Sequence, residues 1–411
     1  MAAFSSAESQ KRLATGADIL AVAIAVSLPW STSATAILVG VWFFTLLPVL
    51  RLEEIRRKIL TPAGGLPVLL VLLGIAGMVW ADVTLLERWK GLDSFLKLLA
   101  IPLLLVQFRR SERGTWVFAG YLLSCVILLV VTAIVMAVPP LATTLLHYDH
   151  VVVKNAATQS GEFVICIFGL LYLLVVVGTG EQKRWPWVLA GTAIILAMLA
   201  NIFYVSTGRT ALVAIFVLLV LLVIKIRNVK TIASLLAAAI VLGGIAWMSS
   251  PYLRERTQGV QSEVQKYEET NERTSSGERL EFWKKSVEFI RHTPVIGHGT
   301  GSIRVLFEKA AAGQAGAAGL VATNPHNQTL AVGIQLGVLG IAVLWAMWVA
   351  HLALCRGNSL AAWIGLVIVA QNITGSLFNS HIFDFVQGWT YVVGVGVAGG
   401  MILRNRVAAS V

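Results

Sequence analysis

The chain has 411 residues, of which 57% are hydrophobic and only 13% charged. Soluble domains average about 25% charged residues, so this composition excludes a water-soluble globular protein and fixes an all-α, polytopic membrane class. The net charge of +11 lies mostly in short loops between apolar stretches, which argues against a nucleic-acid partner and for topogenic charge.

Twelve apolar stretches follow one another, near 14–30, 35–50, 64–81, 94–108, 115–138, 161–179, 186–203, 210–224, 231–248, 328–350, 359–377 and 386–403. Many approach the roughly 20 residues needed to cross the hydrocarbon. Alternate short loops hold 17 Lys and Arg on one side (Lys11, Arg12; Arg51, Arg56, Arg57, Lys58; Arg109, Arg110, Arg113; Lys183, Arg184; Lys225, Arg227, Lys230; Arg356; Arg404, Arg406). The other side's short loops hold five, Arg88, Lys90, Lys97, Lys154 and Arg209. The positive-inside bias therefore predicts cytoplasmic termini and a trans location for the long loop after stretch nine. Three segments are expected: transmembrane helices 1–9 over 1–248, a helical loop over 249–325, and helices 10–12 over 326–411. No cleavable leader is expected at the polar N-terminus. Cys125, Cys166 and Cys355 fall in or beside apolar stretches, so no disulfide framework is expected.

The polar chemistry gathers on the trans side. Between Asp82 and Lys97, Leu85, Leu86, Trp89, Leu92 and Leu96 make one apolar face, which predicts an interfacial helix carrying Arg88 and Lys90. The 139–162 segment contains His147, Asp149 and His150 beside Lys154. A metal site needs further ligands, so a solvated loop is expected. Ser206-Thr207-Gly208-Arg209-Thr210 sets a cation at the mouth of an apolar helix, either snorkelling to lipid or engaged in function.

The long loop, 249–325, carries 10 Lys/Arg and 9 Asp/Glu, almost balanced. Ser275 and Glu278 have capping-box spacing, which predicts a helix from Ser275 to Arg291. Arg279 falls in its first turn, where a cation is disfavoured unless it meets an acid such as Glu281 or holds an anion. Gly297-His298-Gly299-Thr300-Gly301-Ser302 is either a tight turn or a set of amides open to an anion, with His298 a candidate substrate contact. Asn324-Pro325 has N-cap and N1 chemistry, so stretch ten is predicted to start there. His326 would then lie in the first turn as a neutral imidazole able to accept a proton, with Asn327 beside it.

Taken together, the order of Ser-Thr-Gly-Arg-Thr, Glu-Arg-Leu-Glu-Phe-Trp (278–283), Gly-His-Gly-Thr-Gly-Ser, Pro-His-Asn and the late Ser-Leu-Phe-Asn-Ser-His (376–381) resembles the O-antigen ligases. These are relatives of O-antigen polymerases and protein O-oligosaccharyltransferases. The resemblance implies a GT-C type glycosyltransferase with about twelve transmembrane helices in the bacterial inner membrane. It would transfer a glycan from undecaprenyl diphosphate to lipid A-core on the periplasmic face, with no metal, nucleotide or other cofactor. By position, Arg209, Arg279 and His326 match the family's functional residues. Two arginines suit a departing diphosphate, and His326 suits an acceptor hydroxyl. Arg88, Lys90 and Lys154 are candidates for holding substrate phosphates. A polymerase would share this logic; a transporter would place its charges mid-membrane, where these stretches have almost none. A protein-glycosylating relative would be expected to carry an additional C-terminal periplasmic domain, which is not expected here.

Overall fold

The computed structural model describes residues 7–138, 140, 141, 144, 151–178, 185–226 and 228–408. His147, Asp149, His150, Lys183, Arg184 and Arg227 lie outside the described residues.

Helices occur at all twelve expected stretches, and five more lie in the connections among the described residues. In chain order they are α1 Ala7–Ser27, α2 Thr32–Leu46, α3 Leu52–Ile59, α4 Pro62–Trp80, α5 Leu85–Leu96, α6 Ala100–Arg110, α7 Gly114–Ala137, α8 Ala156–Gly178 and α9 Trp185–Tyr204. There follow α10 Arg209–Lys225, α11 Val229–Ser249, α12 Pro251–Thr270, α13 Ser275–His292, α14 Ile303–Ala311, α15 Gln328–Leu354, α16 Leu360–Ser376 and α17 Phe385–Ala408. Nine helical rods among the described residues are long and apolar enough to cross a membrane. α1, α10 and α16 complete the set of expected stretches. The inner bundle pairs α17 with α6, α15 with α4, and α16 with α8, α10 and α17.

The first boundary to differ from expectation lies between α5 and α6. α5 does not end as a separate surface helix but continues through a 3₁₀ turn, Lys97–Leu99, into α6, making one apolar rod from Leu85 to Arg110. Lys97 permits this because its ammonium is buried and donates to the carbonyls of Ile382, Phe383 and Asp384 at 3.0–3.1 Å. A charge that marks a helix end in sequence is thus satisfied inside the fold. The apolar surface of α5 divides accordingly: Leu92 and Phe95 face the core, whereas Leu85, Leu86 and Trp89 remain exposed.

The glycine-rich 297–302 segment proves to be a structural wedge. α15 is kinked at Gly337, whose φ is +61°. Carbonyls freed at the kink are taken up by the wedge: His298 N donates to Ile334 O at 2.8 Å and Gly299 N to Gln335 O at 2.9 Å. Irregular backbone at membrane depth survives only when its polar groups are re-satisfied in this way. Thr300 continues the seam, with its amide on Gly77 O (3.1 Å) and its hydroxyl on Gly74 O (2.6 Å). The amide of Gly301 is held by Gln335 Oε1 at 2.8 Å. These four amides are therefore committed to the fold and not open to an anion. Gly301 adopts φ +89°, and a Cβ there would stand 2.2 Å from Glu87 O. Gly301→Ala is expected to destabilise the protein by more than the ~1–3 kcal/mol of backbone strain alone, visible as a lowered melting temperature in detergent.

In the long loop, α12 packs on α13, and α13 packs on the loop end of α15. Tyr267 on α12 donates to Glu281 on α13 at 2.6 Å. α13 has the expected extent, but its cap is Thr274, whose hydroxyl accepts from Gly277 N at 3.1 Å. The capping-box reading of Ser275 is therefore one residue late. Phe282 and Phe289 of α13 join Phe307 of α14 and Ile334 of α15 in a separate small core.

Candidate active site at the loop face

Arg209 is the first residue of α10 and follows Gly208. A Cβ on Gly208 would lie 2.4 Å from Ser160 Oγ, so glycine is required for α10 to start this close to α8. Arg209 reaches α12 and α13. Its guanidinium makes a bidentate pair with Glu263 (2.5 and 3.0 Å) and donates to Ser276 Oγ (3.1 Å) and Arg256 O (2.9 Å). Glu263 also accepts from the Ser276 amide at 2.9 Å, near the positive end of α13. The hydrogen bonds from Arg209 hold the Glu263 carboxyl down at about 2, so the carboxylate is ionised throughout the working range.

Arg279 lies one turn farther along α13, on the face that also carries Ser276, Phe282 and Trp283. Its expected acid, Glu281, is taken by Tyr267 and by Lys285 at 3.3 Å. Among the described residues, the guanidinium of Arg279 has no hydrogen bond and no ion pair, although it is half-buried. Burial, and then the charge of Arg209, press its pKa below the ordinary guanidinium value. Both arginines line one cavity of about 240 Å³, with walls from Val213, Val260, Val264, Leu280, Trp283 and Phe378. The indole Nε1 of Trp283 is buried without a partner. An unpaired cation and an orphaned donor beside an apolar-walled cavity describe a place for an anion on an apolar stem.

His326 is not in the first turn of α15, because the helix starts at Gln328 and is capped by Asn327 (Leu330 N to Oδ1, 3.1 Å). The expected start at Asn324 is three residues early. Asn324 instead accepts the amide of His326 at 2.8 Å, holding the histidine at φ +54°. A non-glycine residue in this left-handed region stores strain, and such residues concentrate at functional sites. The His326 ring lies parallel to Phe282, with centroids 6.3 Å apart. Its Nδ1 is 3.0 Å from Asn379 Oδ1, which also accepts from Asn324 Nδ2 at 3.0 Å. Asn324 is in turn fixed by the hydroxyl of Ser380 at 2.7 Å. Because an amide oxygen can only accept, Nδ1 carries the proton and Nε2 presents a lone pair. Burial depresses the imidazole pKa below 6.5; the charge of Arg279 adds to that, and the Asn379 contact opposes it. The imidazole pKa is lowered as expected, but the cause is burial and not a helix terminus.

The remaining predicted residues are placed differently. Arg88 donates to Val83 O (3.1 Å) and Met78 O (2.8 Å), Lys154 to Leu28 O, and His298 Nε2 pairs with Phe289 O (2.8 Å). Each therefore braces backbone. Asn327 caps α15 and donates to Leu377 O at 3.1 Å. Lys90 pairs with Glu87 at 3.1 Å and lines a second, polar cavity. Among the described residues no group of three or more His, Cys, Asp or Glu could hold a metal ion. A further cavity of about 300 Å³ among α1, α7, α8, α16 and α17 has almost wholly hydrocarbon walls and is lined by none of the predicted site residues.

Glu263, Ser276, Trp283, Asn324, Asn379 and Ser380 were not singled out as site residues in the sequence. Asn379 and Ser380 stand in the late Ser-Leu-Phe-Asn-Ser-His segment, the one signal that pointed to them.

Residues 193–345, from within α9 to within α15, match the family model described as O-antigen ligase. The match spans Arg209, Glu263, Arg279 and His326. No curated protein matches the chain.

Proposed function

From the similarity of residues 193–345 to the O-antigen ligase family model, we propose that this membrane protein is an inverting glycosyltransferase ligating O-antigen glycan from undecaprenyl diphosphate to lipid A-core. The reaction would run without metal or other cofactor on the periplasmic face of the inner membrane, with both chain termini in the cytoplasm. The observation that carries this reading is the unpartnered guanidinium of Arg279, set in an apolar-walled cavity with Arg209 and close enough to His326 to oppose its protonation.

The roles follow from the chemistry. The acceptor hydroxyl oxygen attacks the anomeric carbon, forming the new glycosidic bond. The bond from that carbon to the diphosphate oxygen breaks, and its electron pair leaves with undecaprenyl diphosphate. The hydroxyl proton passes to His326 Nε2. Arg279 binds the diphosphate and meets the growing charge with charge-assisted bonds. Arg209, anchored by Glu263, sets a second positive charge beside it, and its hydrogen bonds fix the cavity wall. Valine and leucine side chains on α10, α12 and α13 accept the first units of the polyprenyl stem. Attack opposite the leaving group inverts the anomeric centre.

The test is transfer in proteoliposomes with undecaprenyl-diphosphate glycan and lipid A-core, with EDTA present. A slower-migrating lipopolysaccharide is expected. Lengthened undecaprenyl-linked chains instead would make the protein a polymerase acting through the same residues, and loss of product with EDTA would remove the metal-independent mechanism.

A further inference from the structure

A second cavity, of about 350 Å³, opens on the loop face between α5, α14 and the 380–384 turn. Its position relative to His326 is defined by bonded residues. Phe378 lines the arginine cavity and Ser380 lines this one, so the 378–380 turn divides the two. Asn379, between them, holds the His326 ring. Asn324, bonded to both Asn379 and Ser380, forms part of the wall.

The chemistry of the two cavities is unlike. Where the arginine cavity has hydrocarbon walls, this one carries Glu87, Asp384, Lys90 and Arg304, two carboxylates and two cations whose formal charges cancel. The hydroxyls of Ser94 and Thr323 also line it, and neither bonds to protein among the described residues. Balanced acceptors and donors match vicinal hydroxyls, which need both; a phosphate would call for excess positive charge. The mouth is wet, since Lys90 and Arg304 side chains are 55% and 50% exposed. The floor is closely packed: a Cβ on Gly91 would stand 2.4 Å from Gly301 N.

We propose that this cavity docks the sugar acceptor, its hydroxyls paired by Glu87, Asp384, Lys90 and Arg304, so that one hydroxyl reaches His326 from the side away from the arginines. The assignment rests on the glycosyltransfer reading above and adds to it the place and class of the acceptor contact. An acceptor entering there meets the anomeric carbon opposite the diphosphate, as in-line displacement requires.

Ser94→Trp, which fills the cavity from α5, tests the assignment together with Arg304→Ala, a truncation at the wet mouth that gives up only half-exposed ion pairs with Glu308 and Glu87. Steady-state transfer would be measured in proteoliposomes with acceptor and donor varied separately. Binding of lipid-free core oligosaccharide would be measured without donor. Ser94→Trp is expected to raise the acceptor KM at least about tenfold and weaken oligosaccharide binding to match. Arg304→Ala should raise the acceptor KM by less, and the donor KM should be unchanged in both. A rise in donor KM with acceptor KM unchanged would assign the cavity to the donor glycan and overturn the proposal. Unchanged values of both in Arg304→Ala and Ser94→Trp would also overturn it. If Ser94→Trp does not fold, Arg304→Ala decides by the same readout. A wild-type protein that neither transfers nor binds the oligosaccharide would refute the glycosyltransferase reading itself, an outcome distinct from a variant effect on the wrong substrate.

Discussion

Arg279→Ala is expected to lower kcat for glycan transfer by about 10²–10³-fold while leaving the melting temperature of the purified protein unchanged. The two halves of this result have separate causes. The guanidinium makes no hydrogen bond or ion pair with the described protein, so the fold loses only the packing of its methylenes. Its electrostatic contribution is reserved for a ligand, and greatest where charge develops on the departing diphosphate. Arg209→Ala should behave differently. It leaves the Glu263 carboxylate without its bidentate partner between α12 and α13. A loss of about 1–3 kcal/mol in stability should then accompany loss of activity. Double substitution of Arg209 and Glu263 by Ala and Gln should recover part of the stability and none of the activity. Full transfer by Arg279→Ala in a single-turnover assay would remove Arg279 from the leaving-group role.

His326→Gln should cost about 10²–10⁴-fold in rate, the usual range for a lost proton acceptor. Glutamine keeps a hydrogen-bonding side chain against Asn379 but has no basic lone pair. The pH dependence provides the sharper test. Because burial and then the Arg279 charge depress the imidazole pKa, the wild-type rate should fall only once pH drops below 6.5. The residual rate of His326→Gln should lack that acid limb. Arg279→Ala should shift the limb upward, since it removes a charge that opposes protonation. A wild-type limb above 6.5, or one retained in His326→Gln, would show that another group takes the proton. Stability follows the same sign. A histidine with a depressed folded-state pKa is protonated more readily when unfolded, so its contribution is complete above 6.5 and declines as pH falls. His381, buried beside Gly375 and pushed down to about 4, extends that acid-side loss to lower pH.

Much of this was legible in the sequence because it depends on local chemistry. Apolar runs with charges only at their ends favour helices, and all twelve correspond to helices; among the described residues, nine rods are long and apolar enough to cross a membrane. α13 begins and ends within one residue of expectation, since Ser/Thr capping, Glu278 and the spacing of Phe282, Phe289 and Ile290 are properties of the segment itself. Cap placement failed at Asn324. Asn327 caps the helix three residues later, and Asn324 is drawn instead into bonds with His326, Ser380 and Asn379, residues up to 56 positions apart. Lys97 misled for a similar reason, as the three carbonyls that satisfy it come from a turn 285–287 positions away.

The candidate site divides along the same line. Arg209, Arg279 and His326 could be nominated individually, because a cation at the mouth of an apolar helix, a cation in a helix's first turn and an imidazole after proline each stand out against their own surroundings. Which arginine is paired and which is free could not be read, because Glu263 and Glu281 are both near in sequence and only the packing of α12 against α13 assigns one to Arg209 and the other to Tyr267 and Lys285. Nor could the role of the glycine wedge, whose amides meet carbonyls next to the Gly337 break in α15, far away in sequence. The sequence by itself determined membrane class, helix positions and the residue types available for chemistry, all set by transfer free energies and local hydrogen bonding. The tertiary structure decided which charges are neutralised, which donors are spent on backbone, and how the arginine cavity, the imidazole and the polar cavity are arranged. Those outcomes depend on contacts between distant segments, whose energies no local stretch of chain contains.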